Sequence, residues 1–169
     1  MLKAIVITCI AASSALAFAQ SDLPKRKSGL WELKTQTDAA KPGPAGNTMH
    51  MCIDQNADQQ WMKMGNDRSK DGCSKQDYKV EKDRIVVDSV CKVGQSVATS
   101  HAVFSGKYDS AYRVEAQSTY DPPMMGRKES KTVIDAKWVG ACKAGQRPGD
   151  VIMSNGMTMN MNDMMKMKK

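Results

Sequence analysis

CSKQDYKVEKDRIVVDSVC, residues 73–91, predicts two β-strands joined by a tight turn, with a cysteine at each outer end. Apolar and polar residues alternate on both sides of a turn at Lys82 and Asp83, which is the pattern of half-buried strands. The alternating apolar residues are Tyr78 and Val80 before the turn and Ile85 and Val87 after it. The stretch therefore predicts a β-hairpin closed by a disulfide bond.

The hydrophobic register of this hairpin and its cysteine register disagree by one residue. A two-residue turn pairs Val80 with Ile85. Continued outwards, this pairing sets Ser74, and not Cys73, opposite Cys91. A disulfide between the two cysteines therefore predicts a one-residue bulge, or a Cys73 that lies just outside the ladder.

Residues 1–19 predict a cleaved secretory signal peptide. Lys3 precedes an apolar run that is too short to cross a bilayer, and Ala17 and Ala19 suit cleavage after Ala19. We expect a periplasmic protein with no transmembrane segment after cleavage. Behind the signal we expect a polar lead over 20–28, a single β domain over 29–152 and a methionine-rich flexible tail over 153–169.

Four cysteines remain after cleavage, and an even number in an exported protein indicates disulfide bonds. They are Cys52, Cys73, Cys91 and Cys142. No C-x-x-C pair is present, which argues against a structural zinc site. Of the three pairings we favour Cys73 with Cys91 and Cys52 with Cys142, although spacing alone does not fix the connectivity.

Similar alternation predicts further strands along the chain. They cover residues 29–37, 47–53, 95–106, 111–120 and 129–139. Asp54 suits the N-cap of a short helix that ends at Gly65, and residues 121–128 predict a loop. We expect an all-β antiparallel meander curled into an open or half barrel, with one short helix and two disulfides; a two-sheet sandwich is the alternative.

Several stretches resemble a known family. They are the opening GLWE at 29–32, the spacing of Cys52, Cys73 and Cys91, the turn SGKYDSAY at 105–112, and KWVGACKAGQRPGD at 137–150. The chain resembles, over residues 25–152, the small exported proteobacterial proteins catalogued as domain of unknown function 3617 (DUF3617). The resemblance implies an exported all-β protein. It implies no activity and no functional residue.

Catalytic motifs are not apparent in the sequence. There is no G-x-S-x-G, H-E-x-x-H or glycine-rich phosphate loop. His50 and His101 are the side chains suited to proton transfer near neutral pH, and for His101, on a strand face, a structural role is the better interpretation. We expect a protein that is not an enzyme and needs no cofactor.

Aromatic residues on the predicted strands favour a binding module with an apolar concave sheet face. The residues expected to face a ligand are Trp31, Tyr78, Tyr112 and Trp138. A lipid-like or peptide ligand fits such a face, although the same aromatics also suit a closed core. Loss of Lys3 lowers the formal net charge from +7 to +6, which is compatible with an anionic envelope surface. No nucleic-acid recognition motif is present.

The methionines suggest an alternative function. The chain has 14, and thioethers select Cu(I) among metal ions. The candidate ligands are Met49, His50, Met51, Met157, Met159 and Met161. Core filling and a mobile terminal segment are the competing interpretation. Cu(I) binding is therefore the alternative hypothesis.

Overall fold

A computed structural model describes residues 24–38 and 47–166, without the side chains of 47, 65–70 and 165. The predicted signal peptide lies outside these residues. In chain order the elements are β1 Gly29–Thr37, β2 Asn47–Ile53, α1 Gln55–Gly72, β3 Cys73–Val80, β4 Arg84–Val93, β5 Ser96–Lys107, β6 Ala111–Met124, β7 Arg127–Gly140, β8 Asp150–Ile152, β9 Thr158–Asn160 and α2 Met161–Lys166. Neither described helix has the length and apolarity to cross a membrane.

The strands form one open antiparallel sheet in the order β3-β4-β5-β6-β7-β1-β2-β8-β9. Strands β3 to β7 form a meander. Strand β1, the first strand of the chain, pairs with β7. The predicted all-β antiparallel fold is confirmed. The described strands belong to this single sheet and do not form the alternative two-sheet sandwich.

Helix α1 connects two strands that lie far apart in the sheet. Strands β2 and β3 are six positions apart, which is about 29 Å in a flat sheet. The 18 residues of α1 span about 27 Å, and Asp54 alone separates β2 from the helix. The helix therefore has about the length of this crossing, and it contacts β2 at one end and β3 and β4 at the other.

The boundaries of α1 agree with the sequence at one end only. The Asp54 carboxylate accepts a hydrogen bond from the Ala57 amide at 2.7 Å, so the predicted N-cap is confirmed. The predicted end at Gly65 is wrong, because the helix continues to Gly72. A glycine inside a helix costs only about 1 kcal/mol, and the chain still has to reach β3.

The cysteine hairpin has the predicted register and the predicted irregularity. Val80 pairs with Ile85, and Cys73 pairs with Cys91 after a register shift between Cys73 and Lys75. Ser74 is thus the extra residue of the bulge. The Glu81 amide donates to the Arg84 carbonyl at 2.8 Å, which closes the two-residue turn.

Both disulfides have the favoured pairing, Cys73 with Cys91 and Cys52 with Cys142. Cys52 lies on β2 and Cys142 follows β7, and β1 lies between these two strands. The second disulfide therefore fastens the neighbours of β1 to each other.

The loop predicted over 121–128 is much shorter in the structure. Strand β6 continues to Met124 and β7 begins at Arg127. Met125 and Gly126 form the turn with φ of 50° and 80°, as a tight two-residue hairpin turn requires. A register shift between Thr119 and Met124 accommodates the prolines, which cannot donate to a regular ladder.

The methionine-rich segment, predicted to be a flexible tail, contains regular structure. Strand β8 pairs with β2, and β9 pairs with β8. The Met161 amide, at the start of α2, donates to the Gly149 carbonyl at 2.9 Å. These strands cover the outer edge of β2, whose backbone groups need partners.

The core lies where β1, β2, β7 and β8 meet. Its buried members are Trp31, Leu33, Met51, Ile53, Ala136 and Val151, and the half-buried side chains packed against them include Met49, Trp61, Met153 and Met161. Trp61 lies on α1, so the first half of the helix covers this part of the sheet.

The two disulfides close loops of very different length, with sequence separations of 90 and 18 residues. In the loop-entropy description, replacing Cys52 and Cys142 by alanine lowers the free energy of unfolding by about 4.5 kcal/mol, against about 3 kcal/mol for Cys73 and Cys91. Urea unfolding of the two double variants measures the difference. Equal losses, or a larger loss at the hairpin, contradict the loop-entropy explanation.

Candidate functional site

The two faces of strands β3 to β7 differ in charge. Side chains alternate between the faces of a strand, and the registers align them in rows across the five strands. We name three rows on one face. The polar row is Gln76, Ser89, Ser100, Ser118 and Ser130; the small row is Tyr78, Val87, Ala102, Ala116 and Thr132; the bulky row is Val80, Ile85, Phe104, Val114 and Ile134.

We call these three rows the uncharged face. All fifteen of their side chains are described, and none carries a charge. The opposite, charged face holds ion pairs such as Arg113 with Asp135 at 2.6 Å. It also holds His101, whose Nδ1 lies 2.7 Å from Asp88 Oδ1. This hydrogen bond holds the pKa of Asp88 below its ordinary value.

Burial varies over the uncharged face, and Val80 of the bulky row is 58% exposed. Ile85 and Val114 of the bulky row are 7% and 8% exposed. Val87, Ala102 and Ala116 of the small row are only half-buried. The small row therefore leaves apolar surface that no described part of the chain covers completely.

The second half of α1 does not have the composition to cover that surface. Residues 65–72, GNDRSKDG, contain no aliphatic side chain, no aromatic side chain and no methionine. This half of the helix reaches β3 and β4. The second half of the helix is thus rich in polar residues, whereas Trp61 in the first half packs against the core.

Hydroxyl groups pair along the polar row. The Oγ atoms of Ser100 and Ser118 lie 2.8 Å apart. The Ser130 Oγ lies 2.9 Å from the hydroxyl of Tyr120, which is two residues beyond Ser118 on β6. The row is thus a line of neutral hydrogen-bonding groups beside an apolar surface.

The N-terminal strap, residues 26–28, fastens α1 to the sheet. Arg26 Nε and Nη2 lie 2.7 and 2.5 Å from Asp58 Oδ1, and the Arg26 amide donates to Oδ2 at 3.1 Å. The two side chains are 11% and 8% exposed. Arg26 Nη1 also donates to the Tyr112 hydroxyl at 3.3 Å, so the pair joins strap, helix and β6.

Two tryptophans anchor the rest of the strap. Trp31 Nε1 donates to the Lys27 carbonyl at 2.8 Å, and Trp138 Nε1 donates to the Ser28 carbonyl at 3.0 Å. The Lys27 ammonium lies 3.7 Å above the Trp138 ring, within the range of a cation–π contact. The strap therefore closes the end of the sheet beyond the bulky row.

The four predicted ligand-facing aromatics lie on one face of the sheet, and three of them lie close together. Trp31 is fully buried, pairs with Trp138, and lies 5.5 Å from Tyr112 between ring centroids. These three residues hold the strap. Tyr78 lies apart from them in the small row of the uncharged face, and burial raises its pKa.

A family model described as a protein of unknown function (DUF3617) matches residues 26–142. The chain belongs to this family. The matched span begins at Arg26 and ends at Cys142, so it includes the strap, α1, the uncharged face and both disulfides. No curated protein and no solved structure matches the chain.

The candidate metal ligands of this DUF3617 chain differ in burial. Met49, Met51 and Met161 pack in or against the core, while Met157 and Met159 are 54% and 39% exposed. Alternation places His50 on the other face, 3.5 Å from Glu32. Among the described residues no group of three or more His, Cys, Asp or Glu is arranged to hold a metal ion.

A groove of about 410 Å³ runs along the charged face. Its charged lining residues are Glu32, Lys34, Arg113, Asp135 and Lys137. Lys34 Nζ lies 3.1 Å from Glu32 Oε1, and its hydrogen bond holds the pKa of Glu32 below the ordinary 4.5. The charges of the groove largely satisfy one another.

Sequence reasoning missed Arg26 and Asp58. The signal was present, since Asp58 lies three residues before Trp61 and so shares the apolar side of the helix. A carboxylate at such a position requires a cationic partner. The partner lies 32 residues earlier, in a segment whose composition indicates only a polar lead.

Removal of either partner from the Arg26–Asp58 pair leaves a buried charge unpaired. We expect Arg26→Ala and Asp58→Ala each to lower the free energy of unfolding by about 3–5 kcal/mol. We expect the double variant Arg26→Met/Asp58→Leu to lose less free energy of unfolding than either single variant. Arg113→Ala, which breaks exposed ion pairs, is the control and changes the free energy of unfolding far less. If denaturant unfolding shows the same loss of stability for Asp58→Ala as for Arg113→Ala, the assignment of Arg26 and Asp58 as a buried ion pair is wrong.

Glu32 makes the stability dependent on acid pH. Its pKa is lower in the folded protein than in the unfolded chain, so its contribution is present above the unfolded pKa and is lost as pH falls through the folded pKa. We expect Glu32→Gln to lower the free energy of unfolding at neutral pH. Once the pH is low enough to protonate Glu32 of the parent in both the folded and the unfolded state, we expect the two proteins to be equally stable. Unfolding curves at stepped pH measure this convergence; a constant difference contradicts it.

Proposed function

We propose that this protein is a non-enzymatic envelope module that binds a lipid-like ligand between the uncharged face and α1. The observation that supports it is the half-buried small row, whose apolar side chains no described part of the chain covers completely. Apolar surface that stays in contact with water is unfavourable by about 25 cal/mol per Å². A hydrocarbon chain on this surface removes that cost.

The shape of the small row favours a narrow ligand. Ala102 and Ala116 are directly paired at its centre, with the larger Val87 and Thr132 on the two sides. Two adjacent alanines form a depression in the wall of larger side chains. An alkyl chain fits such a trough better than a folded peptide does.

Hydrogen bonding also favours hydrocarbon over a peptide. Strands β5 and β6 are paired on both sides, so their backbone groups are already used within the sheet. An extended peptide laid on the face finds few partners for its own amides, which is costly once water is excluded. A lipid chain carries no such groups.

The envelope location is supported by the disulfides and by the predicted signal peptide. Disulfide bonds persist in oxidising compartments such as the bacterial periplasm, and this chain has two. Together with the predicted cleavage after Ala19, they support export. A lipid ligand is abundant in that compartment, between or on the envelope membranes.

Filling the depression tests the proposal. We expect Ala116→Phe to weaken binding of N-phenylnaphthylamine, a probe that fluoresces in apolar sites, by about tenfold or more, since the new ring occupies the trough. Gln117→Phe is the matched control, because the neighbouring residue points to the charged face. Equal binding by both variants and the parent, or no probe binding by the parent, overturns the proposal. Mass spectrometry of the parent purified from periplasm supplies the ligand directly.

A further inference from the structure

We propose that two hairpin turns at one end of the sheet dock the protein on an anionic lipid bilayer. The first tip is residues 92–97, and the second tip is residues 122–128; together we name them the docking edge. This inference goes beyond the proposed function and does not depend on it, because the docking edge shares no residue with the uncharged face.

The strand registers bring the two tips to the same end of the sheet. Strands β5 and β6 are neighbours, and Val97, near the start of β5, pairs with Asp121 on β6. The turn before Val97 and the turn after Asp121 therefore leave the sheet side by side, about 10 Å apart at the usual strand spacing. Met125 lies four residues past this pair and Gly94 three residues before it, so the two tips project to a similar depth.

Both tips present apolar side chains to water. Met125 is 96% exposed, and Val93 and Val97 are 43% and 45% exposed. Pro122 and Pro123 of the second tip are exposed as well. Apolar surface at the end of a turn is unfavourable in water and becomes favourable in the interface of a bilayer.

The fold alone does not explain the presence of Met125 in its turn. Met125 and Gly126 both have positive φ, and asparagine, aspartate or glycine suits the first of these positions better than methionine does. Because the Met125 side chain is almost fully exposed, it gains no burial within the domain. A residue that serves neither the turn nor the core indicates a contact outside the chain.

The charge of the tips favours an anionic lipid surface. Their sequences, KVGQSV and PPMMGRK, carry three basic residues and no acidic residue. The basic residues are Lys92, Arg127 and Lys128, and all three are exposed. Arg127 pairs with Met124, so the basic side chains of the second tip begin roughly 3 Å behind Met125. Cations at that depth meet the lipid phosphates when the apolar tip enters the interface.

Acidic side chains lie behind the second tip and not on it. Asp121 precedes the tip and Glu129 follows it. The carboxylate of Asp38 accepts a hydrogen bond from the Lys131 amide at 2.9 Å, and Lys131 pairs with a residue of β6 further into the sheet. These carboxylates therefore lie on the sheet side of the basic residues.

Two further segments approach this end of the sheet, and neither reverses its charge. The last residue of α1, Gly72, lies close to the Lys92 carbonyl, and residues 65–72 carry two acidic and two basic residues. Residues 39–46, which join β1 to β2, carry Lys41 and no acidic residue in their sequence. Together the two segments add one positive charge.

The distribution of apolar and charged groups favours a bilayer over a protein partner. The apolar side chains lie on two separate turns, with basic side chains directly beside them. The core of a protein interface is depleted of charged residues. A bilayer interface, in contrast, takes up apolar protrusions together with neighbouring lysine and arginine.

The first test changes the apolar tip. The disulfide-bonded mature protein is sedimented with vesicles of phosphatidylcholine mixed equally with phosphatidylglycerol. We expect Met125→Asn to weaken binding to these vesicles about tenfold, because one apolar side chain leaves the interface, and to keep or raise the denaturant midpoint, since asparagine suits positive φ. Met157→Asn is the matched control, because Met157 is 54% exposed but lies outside the docking edge; it leaves vesicle binding unchanged.

The second test changes the charge. We expect the parent to bind the mixed vesicles about tenfold more tightly than vesicles of phosphatidylcholine alone, and added salt to reduce this difference. Arg127→Gln/Lys128→Gln removes most of the preference. The control Lys107→Gln/Lys143→Gln retains it. That control lowers the net charge equally, through two exposed lysines that follow the other ends of the hairpin strands, at the end of β5 and after β7.

The outcomes separate the docking edge from the proposed ligand face. Equal binding to both vesicle compositions, or tip variants that bind vesicles like their controls, overturns the docking inference. A parent that binds no vesicles but self-associates in sedimentation velocity through Met125 also overturns it, because the tips are then an interface between copies. We expect all four variants to bind N-phenylnaphthylamine like the parent. A parent that binds the mixed vesicles but not this probe supports the docking edge and overturns the proposed function.

Discussion

The span of α1 is the constraint on which the rest of the structure depends. A helix of about 27 Å joins β2 to β3 across six strand positions, with one residue before it and none after it. The helix therefore has about the length that this crossing needs, and it lies over one face of the sheet, where Trp61 packs against the core. That face cannot be ordinary solvent-exposed sheet, and the segregation of charge to the opposite face follows from this requirement.

The helix is divided in the same way as the sheet beneath it. Its first half carries Trp61 and the buried Asp58, and the strap fastens it through Arg26. Its second half has a polar sequence and ends at the disulfide hairpin. The crossing is thus anchored at both ends by strong local interactions.

The fold was predictable from local patterns where those patterns act alone. The alternation of apolar residues and the turn residues predicted the bounds of β1 and β2. The cysteine spacing predicted the irregularity that the structure shows as a bulge at Ser74. The continuation of α1 past Gly65 and the short turn at Met125 depend on what the connections must reach, which local signals do not contain. The candidate site was predicted only as an aromatic face, because cross-strand rows emerge only once register and strand order are known.

The stabilising interactions of this open sheet lie away from the surface proposed to bind a ligand. A sheet face left partly uncovered loses burial that a closed core would provide, and the domain must be stabilised elsewhere. Here the disulfides join β3 to β4 and β2 to the end of β7, and the buried ion pair and the strap secure the remaining end. None of these interactions lies in the small row. Stability is therefore carried by residues outside the small row, which leaves that row available for the proposed ligand.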